Sequence, residues 1–268
     1  MSRIRSLFPL LPLLWLALCG SALAQAPGKP IRWIVPFPPG GIADVLARLI
    51  SAQISPMLGQ PVVVENRAGA GGIIGTELVA KGPPDGSMLM IAGSVVPTAP
   101  FLYKNLPFQP LKDLQPVMQV GYTSNVLVLA QDHRINSVRE LIEEARRNPG
   151  KLNYASVGRG SFLQLAAIQF MRDTGTKMVE ISYKGGGDNT TAIITRQVDL
   201  QFDNMVFSLP LIKAGKMKAL AVTSRERDPA LPDVPTMIEL GFPDFLFLPW
   251  NGVWTTGGTP AETVARLE

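Results

Sequence analysis

From residue 31 onward, short apolar runs alternate with amphipathic stretches, and glycine, proline or serine marks the junctions. Ile31-Arg32-Trp33-Ile34-Val35 has the length and composition of a buried strand. It turns at Pro36-Phe37-Pro38-Pro39-Gly40-Gly41 into a segment whose apolar positions Val45, Leu46, Leu49, Ile50 and Ile54 recur at helical spacing. Gly59 ends that helix and Pro61-Val62-Val63-Val64 begins the next strand, completing one βαβ unit. The same reading gives strands at Met88–Ala92, Asn125–Ala130, Leu152–Ser156, Met178–Ser182, Val198–Phe202 and Lys218–Val222. Helices fall at Ile73–Lys81, Ser137–Arg147, Ser161–Arg172, Thr190–Arg196 and Val206–Ala214. Ser137 with Glu140 forms a capping box, while Gly150 and Gly215 sit where helices should stop. Strands separated by helices predict parallel, doubly wound sheets. The length, together with the proline-rich stretch Pro97–Pro116, predicts two α/β domains.

The first 24 residues read as an export signal. Arg3 and Arg5 precede an apolar core from Leu7 to Leu18, and Ala22-Leu23-Ala24 offers a small-x-small cleavage site before Gln25. Roughly a dozen apolar residues are too few for a bilayer span, which needs about 20. Cys19 opens a lipoprotein alternative, against which the bulky Leu18 argues. Cleavage after Ala24 would deliver the chain to the periplasm without its only cysteine, so neither disulfides nor thiolate metal sites are expected. The formal charge is +4, and the leader's two arginines carry half of it, too little excess to imply a nucleic-acid partner.

In parallel α/β sheets, ligands gather at the carboxyl ends of strands, where the next helix offers free N–H groups and a positive dipole end. Four loops qualify: Pro38–Gly41, Gly93-Ser94, Ser156-Val157-Gly158-Arg159-Gly160-Ser161, and Tyr183-Lys184-Gly185-Gly186-Gly187. Each charge-assisted hydrogen bond is worth about 1.5–3 kcal/mol, against about 8 kcal/mol for micromolar binding. Two facing loops therefore suffice for an anion without a buried cation. Nucleotide motifs are absent, since neither Gly40-Gly41 nor Gly69–Gly72 extends to GxGxxG and no GxxxxGK occurs. Tyr154-Ala155-Ser156-Val157-Gly158 misses the hydrolase nucleophile elbow by its first glycine. The lone histidine, His133, lies between Asp132 and Arg134 in what reads as an exposed turn. A periplasmic α/β hydrolase using Ser156 stays open as the enzymatic alternative, and no metal or cofactor is expected.

These loops and their surroundings resemble a known family, the Bug-type or TctC-like receptors of tripartite tricarboxylate transporters. The likeness runs from about Lys29 to the last residue. It rests on Val35–Gly41 with Asp44, Gly59–Arg67 with Gly69–Gly72, Pro84-Asp85-Gly86, and Gly150–Ser156. Further carriers are Tyr183-Lys184-Gly185, Val198-Asp199, Phe202-Asp203-Asn204, Ala219–Thr223 and Leu231–Thr236. The resemblance implies a type II periplasmic-binding-protein fold, non-enzymatic, with two lobes joined by crossing strands around a ligand cleft. Domain 1 would comprise residues 25–122 plus 223–268, and domain 2 residues 123–222. It implies a small carboxylate ligand: a di- or tricarboxylate, an acidic amino acid or an aromatic acid. Pro38, Gly40, Gly41, Asp44 and Ser94 would hold it from domain 1, and Ser156, Gly160, Ser161, Tyr183, Lys184 and Asp203 from domain 2. The expected form is a monomer that delivers ligand to membrane transporter components; partnership with a membrane sensor is the alternative.

Three departures from the family pattern bear on the ligand rather than the fold. Gln164 stands where histidine is common, and Ala99 replaces a common asparagine. Arg159 occupies a usually small or polar position, from which it would either pair with a second carboxylate or lie in solvent. Thr259-Pro260-Ala261-Glu262 reads as a capped helix start with little chain beyond it. The resemblance implies further elements completing domain 1, so a truncated product with an exposed apolar patch on that domain is expected.

Overall fold

The computed structural model describes residues 29–183 and 186–268; the export signal and Cys19 lie outside them. The chain order is β1 (Ile31–Val35), α1 (Ile42–Leu58), β2 (Val62–Asn66), α2 (Ile73–Ala80), β3 (Met88–Ala92), α3 (Val95–Leu102) and β4 (Leu114–Tyr122). There follow β5 (Asn125–Ala130), α4 (Val138–Arg147), β6 (Asn153–Ser156), α5 (Phe162–Thr174), β7 (Val179–Ser182), α6 (Gly186–Ile194), β8 (Leu200–Asn204) and α7 (Met205–Lys213). Last come β9 (Met217–Val222), β10 (Trp250–Thr256) and α8 (Ala261–Leu267). Two five-stranded sheets result, ordered β2-β1-β3-β10-β4 and β7-β6-β8-β5-β9.

The sheets are mixed rather than wholly parallel. β1, β2 and β3 run parallel in the first, and β6, β7 and β8 in the second. β10 is antiparallel to β3 and β4, and β5 to β8 and β9. The cause is the crossing between lobes. β4 runs toward the junction, so its continuation β5 starts there and runs away, opposite to strands whose carboxyl ends point back at it. β10 re-enters the first sheet the same way.

Residues 224–249 pack on the second lobe. Phe245 and Phe247 extend a row of rings from Phe170 and Phe202, with centroids 5.8, 5.6 and 5.4 Å apart in turn, and Leu231 and Val234 join the layer around Val126, Val198 and Met205. The chain thus leaves the second lobe at Trp250, not at residue 223. Thr123 N–H donates to the Pro249 carbonyl at 2.9 Å, so the two crossing chains lie side by side.

Local expectations meet the structure unevenly. Ser137 caps α4 by accepting from Glu140 N–H at 3.1 Å, and Gly59 adopts the left-handed conformation that ends α1. His133 is buried rather than exposed, because its turn folds back so that Nε2 lies 3.4 Å from Asp199 Oδ1. Thr259 does not cap α8: its hydroxyl is buried and donates to the Thr256 carbonyl at 2.7 Å, leaving Pro260 at the cap position. On the first lobe, α1 leaves Val45, Leu49 and Met57 exposed, and β2 leaves Val63 exposed on the sheet face away from α1.

Candidate functional site

The loop after β1 is shaped by Gly40, whose φ of 84° suits glycine, and braced by Asp44 in the first turn of α1. Asp44 is buried, and its carboxylate accepts from Gly40 N–H at 3.0 Å, Asn66 Nδ2 at 2.9 Å and Arg48 Nε at 3.0 Å. Burial opposes its ionisation, but Arg48, Gly40 and Asn66 together hold the carboxyl below its usual range. Asn66 also donates to the Phe37 carbonyl at 3.1 Å, tying β2 to the loop. Asp44 thus braces the jaw, and Gly41 leads into the first N–H groups of α1, which no turn of that helix can satisfy. Pro38 is half-buried on the same loop.

Ser94 opens α3, and its hydroxyl donates to the Gly160 carbonyl of the second lobe at 3.3 Å. Other contacts follow this seam. A Cβ placed on Gly160 would lie 2.4 Å from Leu102 Cδ1, and one on Gly71 would lie 3.1 Å from the Arg159 carbonyl. Backbone approaches this close need glycine on one side. Arg159 itself is exposed, its guanidinium carbon 6.0 Å from the Tyr103 ring centre on the first lobe. It bridges the rim rather than filling the cleft.

In the second lobe, Ser156 is fully buried. Its hydroxyl donates to Glu180 Oε1 at 2.5 Å and accepts from Gly158 N–H at 3.0 Å. Gln164 donates to Glu180 Oε2 at 2.8 Å and accepts from Gly160 N–H at 2.7 Å. Ser161 caps α5 by accepting from Gln164 N–H at 3.3 Å. Tyr183 N–H donates to the Ser156 carbonyl at 2.9 Å, while its ring packs on the aliphatic layer beside α6. Lys184, with Gly185, lies outside the described residues. Asp203 lies beneath the loops, buried, accepting from Ser208 Oγ at 2.5 Å; burial pushes its carboxyl up to about 6.

The structure therefore brings Ser94, Arg159, Gly160 and Ser161 together at one seam where the N-termini of α3 and α5 meet, while Gly41 opens α1 on the first lobe. It gives Asp44, Ser156 and Asp203 internal partners. Ser156 lacks a hydrolase base: its partner is Glu180, and His133 sits past the far end of β5. No group of three or more His, Cys, Asp or Glu suited to a metal occurs among the described residues. Sequence reasoning missed Glu180 and Tyr103. Gln164 was visible only as a departure, and Glu180 carried no signal because its importance comes from the strand beside it.

Two α/β lobes joined by adjacent crossings, with helix N-termini facing one another across the seam, define a two-lobed solute-binding protein. Residues 46–268 match the family described as the tripartite tricarboxylate transporter family receptor, TctC, and the chain belongs to that family. A solved structure of the periplasmic binding protein BugD is 37% identical, with a TM-score of 0.84 over 90% of this chain and 81% of that one. A Rhodopseudomonas palustris protein solved with adipate is 35% identical, with a TM-score of 0.84 over 90% of this chain and 81% of that one. MatC of the same organism, solved with bound malate, is 32% identical, with a TM-score of 0.83 over 90% and 83%. The family is one of binding proteins, so the chain is a receptor and not an enzyme.

Proposed function

We propose that this receptor captures a small carboxylate in the periplasm, after cleavage behind Ala24, and passes it as a monomer to membrane components of a tripartite tricarboxylate transporter. The carrying observation is the Ser94–Gly160 bond, which sets the N-termini of α3 and α5 against each other across the seam between the lobes. On this reading one ligand carboxylate sits against Pro38, Gly40, Gly41 and Ser94, with Asp44 holding that loop in shape. Gly160, Ser161, Tyr183 and Lys184 face it from the second lobe, where Ser156 and Asp203 support the loops and Arg159 closes the rim. Adipate and malate, seen in two relatives, make dicarboxylates the first ligands to try.

A thermal-shift screen of the mature protein against mono-, di- and tricarboxylates tests this. A ligand at a hundred times its Kd adds about 2.7 kcal/mol, and for a chain of this size each kcal/mol raises the midpoint by about 2–4 °C. A rise of several degrees with at least one acid is expected, and no rise with any of them overturns the reading.

A further inference from the structure

Among the described residues, Glu180 is the carboxylate that hydrogen-bonds both Ser156 and Gln164 behind the second lobe's loop. It lies on edge strand β7, level with Tyr154 of β6. Its two oxygens accept from the Ser156 hydroxyl at 2.5 Å and the Gln164 amide at 2.8 Å. Each of those side chains then takes one loop N–H, Gly158 at 3.0 Å and Gly160 at 2.7 Å. A single carboxylate thus orients two side chains and, through them, two backbone donors. Flipping the Gln164 amide would set its NH2 against Gly160 N–H, and turning the Ser156 proton away from Glu180 would leave two acceptors facing, so the network has one self-consistent arrangement.

Two consequences follow. Ser156 Oγ–H, Gly158 N–H and Gly160 N–H are already committed within the loop. What remains for a ligand is the Ser161 hydroxyl proton and the first N–H groups of α5. The second consequence is electrostatic. No described residue forms an ion pair with Glu180, unlike Asp44, which Arg48 neutralises. A ligand group arriving beside Ser156 therefore meets a carboxylate that, among the described residues, is held by the neutral donors Ser156 and Gln164.

Resting on the carboxylate-receptor reading, we propose that Glu180 is a positioning and specificity-determining residue. It shapes the second lobe's loop and disfavours ligands that bring a second full negative charge to the Ser156 end.

The test uses the mature protein and two probes sharing one six-carbon backbone, adipate and its monomethyl ester. In Glu180→Gln the charge is removed while the network can still close: the new amide oxygen accepts from Gln164 and its NH2 donates to Ser156 Oγ, which goes on accepting from Gly158 N–H. Calorimetric titration should therefore show the adipate-to-half-ester affinity ratio rising roughly tenfold. In Glu180→Ala the loop loses its anchor, so both probes should bind more weakly. An unchanged ratio in Glu180→Gln, or equal weakening by both substitutions, overturns the proposal.

A ligand-free arm keeps the two readings apart. Hydrogen exchange at Gly158 and Gly160 should accelerate by about tenfold in Glu180→Ala and stay near wild type in Glu180→Gln. Burial, aided by the Glu180 charge, pushes the Tyr154 hydroxyl up to about 12, so its absorbance titration should move down in Glu180→Gln. If the wild type binds neither probe, the acid giving the largest thermal shift and its half-ester take their place; if no acid shifts the midpoint, the carboxylate reading fails and the exchange pattern alone decides the positioning role. Unaltered exchange in Glu180→Ala ends it.

Discussion

The two lobes use the same chain pattern, strand to glycine loop to helix, but treat their acids in opposite ways. In the first lobe, arginines answer the acids: Arg48 pairs with Asp44, and Arg32 and Arg67 flank Glu65 at 2.6 and 2.8 Å. In the second, arginines pair with outlying acids such as Glu143 and Asp132, but neutral groups answer the two acids behind the loops: Ser156 and Gln164 hold Glu180, and Ser208 holds Asp203. Arg48 helps keep Asp44 ionised in the first lobe, whereas Asp203 in the second carries a desolvation cost in a dry layer.

The sharpest way to break this contrast is Asp203→Asn. A raised carboxyl means that the folded state favours the protonated form. The resulting stabilisation is complete below the ordinary carboxylate range and is lost as pH rises through about 6. The variant should be more stable than wild type by about 3 kcal/mol at pH 7.5 and no more stable at pH 4. Urea unfolding at both pH values checks this, and a gap of equal size at both would show that the carboxyl is not held neutral.

Next in size is Gly160→Ala, which tests whether the lobes meet as tightly as described. The new methyl would need to displace Leu102 Cδ1 from 2.4 Å while holding a φ of 81°. Ligand affinity should fall on the order of a hundredfold, with the ligand-free scattering profile little changed. Calorimetry showing wild-type affinity would mean that the seam yields without cost.

Smallest is Glu65→Gln. Arg32, then Arg67, hold the Glu65 carboxyl down to about 2, against the opposing effect of burial. A depressed carboxyl stabilises above its ordinary pKa, and that contribution is lost as pH falls toward 2. The pair is partly solvated, so the loss at pH 7 should be only about 1 kcal/mol, closing as pH drops from 4.5 to 2. Midpoints that stay apart at pH 2 would assign the effect to packing.

Much of the architecture was legible because local rules acted alone. Gly59 and Gly215 ended helices with left-handed backbone, and Ser137 capped its helix. Strand direction was not legible, since whether β5 runs with or against β8 depends on where the chain crosses between lobes. Helix α3 was hidden by Pro97 and Pro100, yet Pro97 falls in the first turn, where no N–H bond is lost. The glycine run 185–187 hid the start of α6 at Gly186. Within the site, the loops announced themselves by composition. The network behind Ser156 did not, because it joins residues 156, 164 and 180 only once β6 and β7 are paired.

The neighbouring crossings have a further consequence. The second lobe begins and ends within a hydrogen bond of itself, Thr123 beside Pro249, and the Asn204 amide donates to the Thr123 hydroxyl at 2.8 Å to pin the same spot. In modular terms the lobe is a cassette with both ends at one address. A donor lobe cut at the same two places needs only two junctions, a few ångströms apart. Recognition carried by one half of the molecule is thereby separable, in heredity and at the bench, from the half that stays behind.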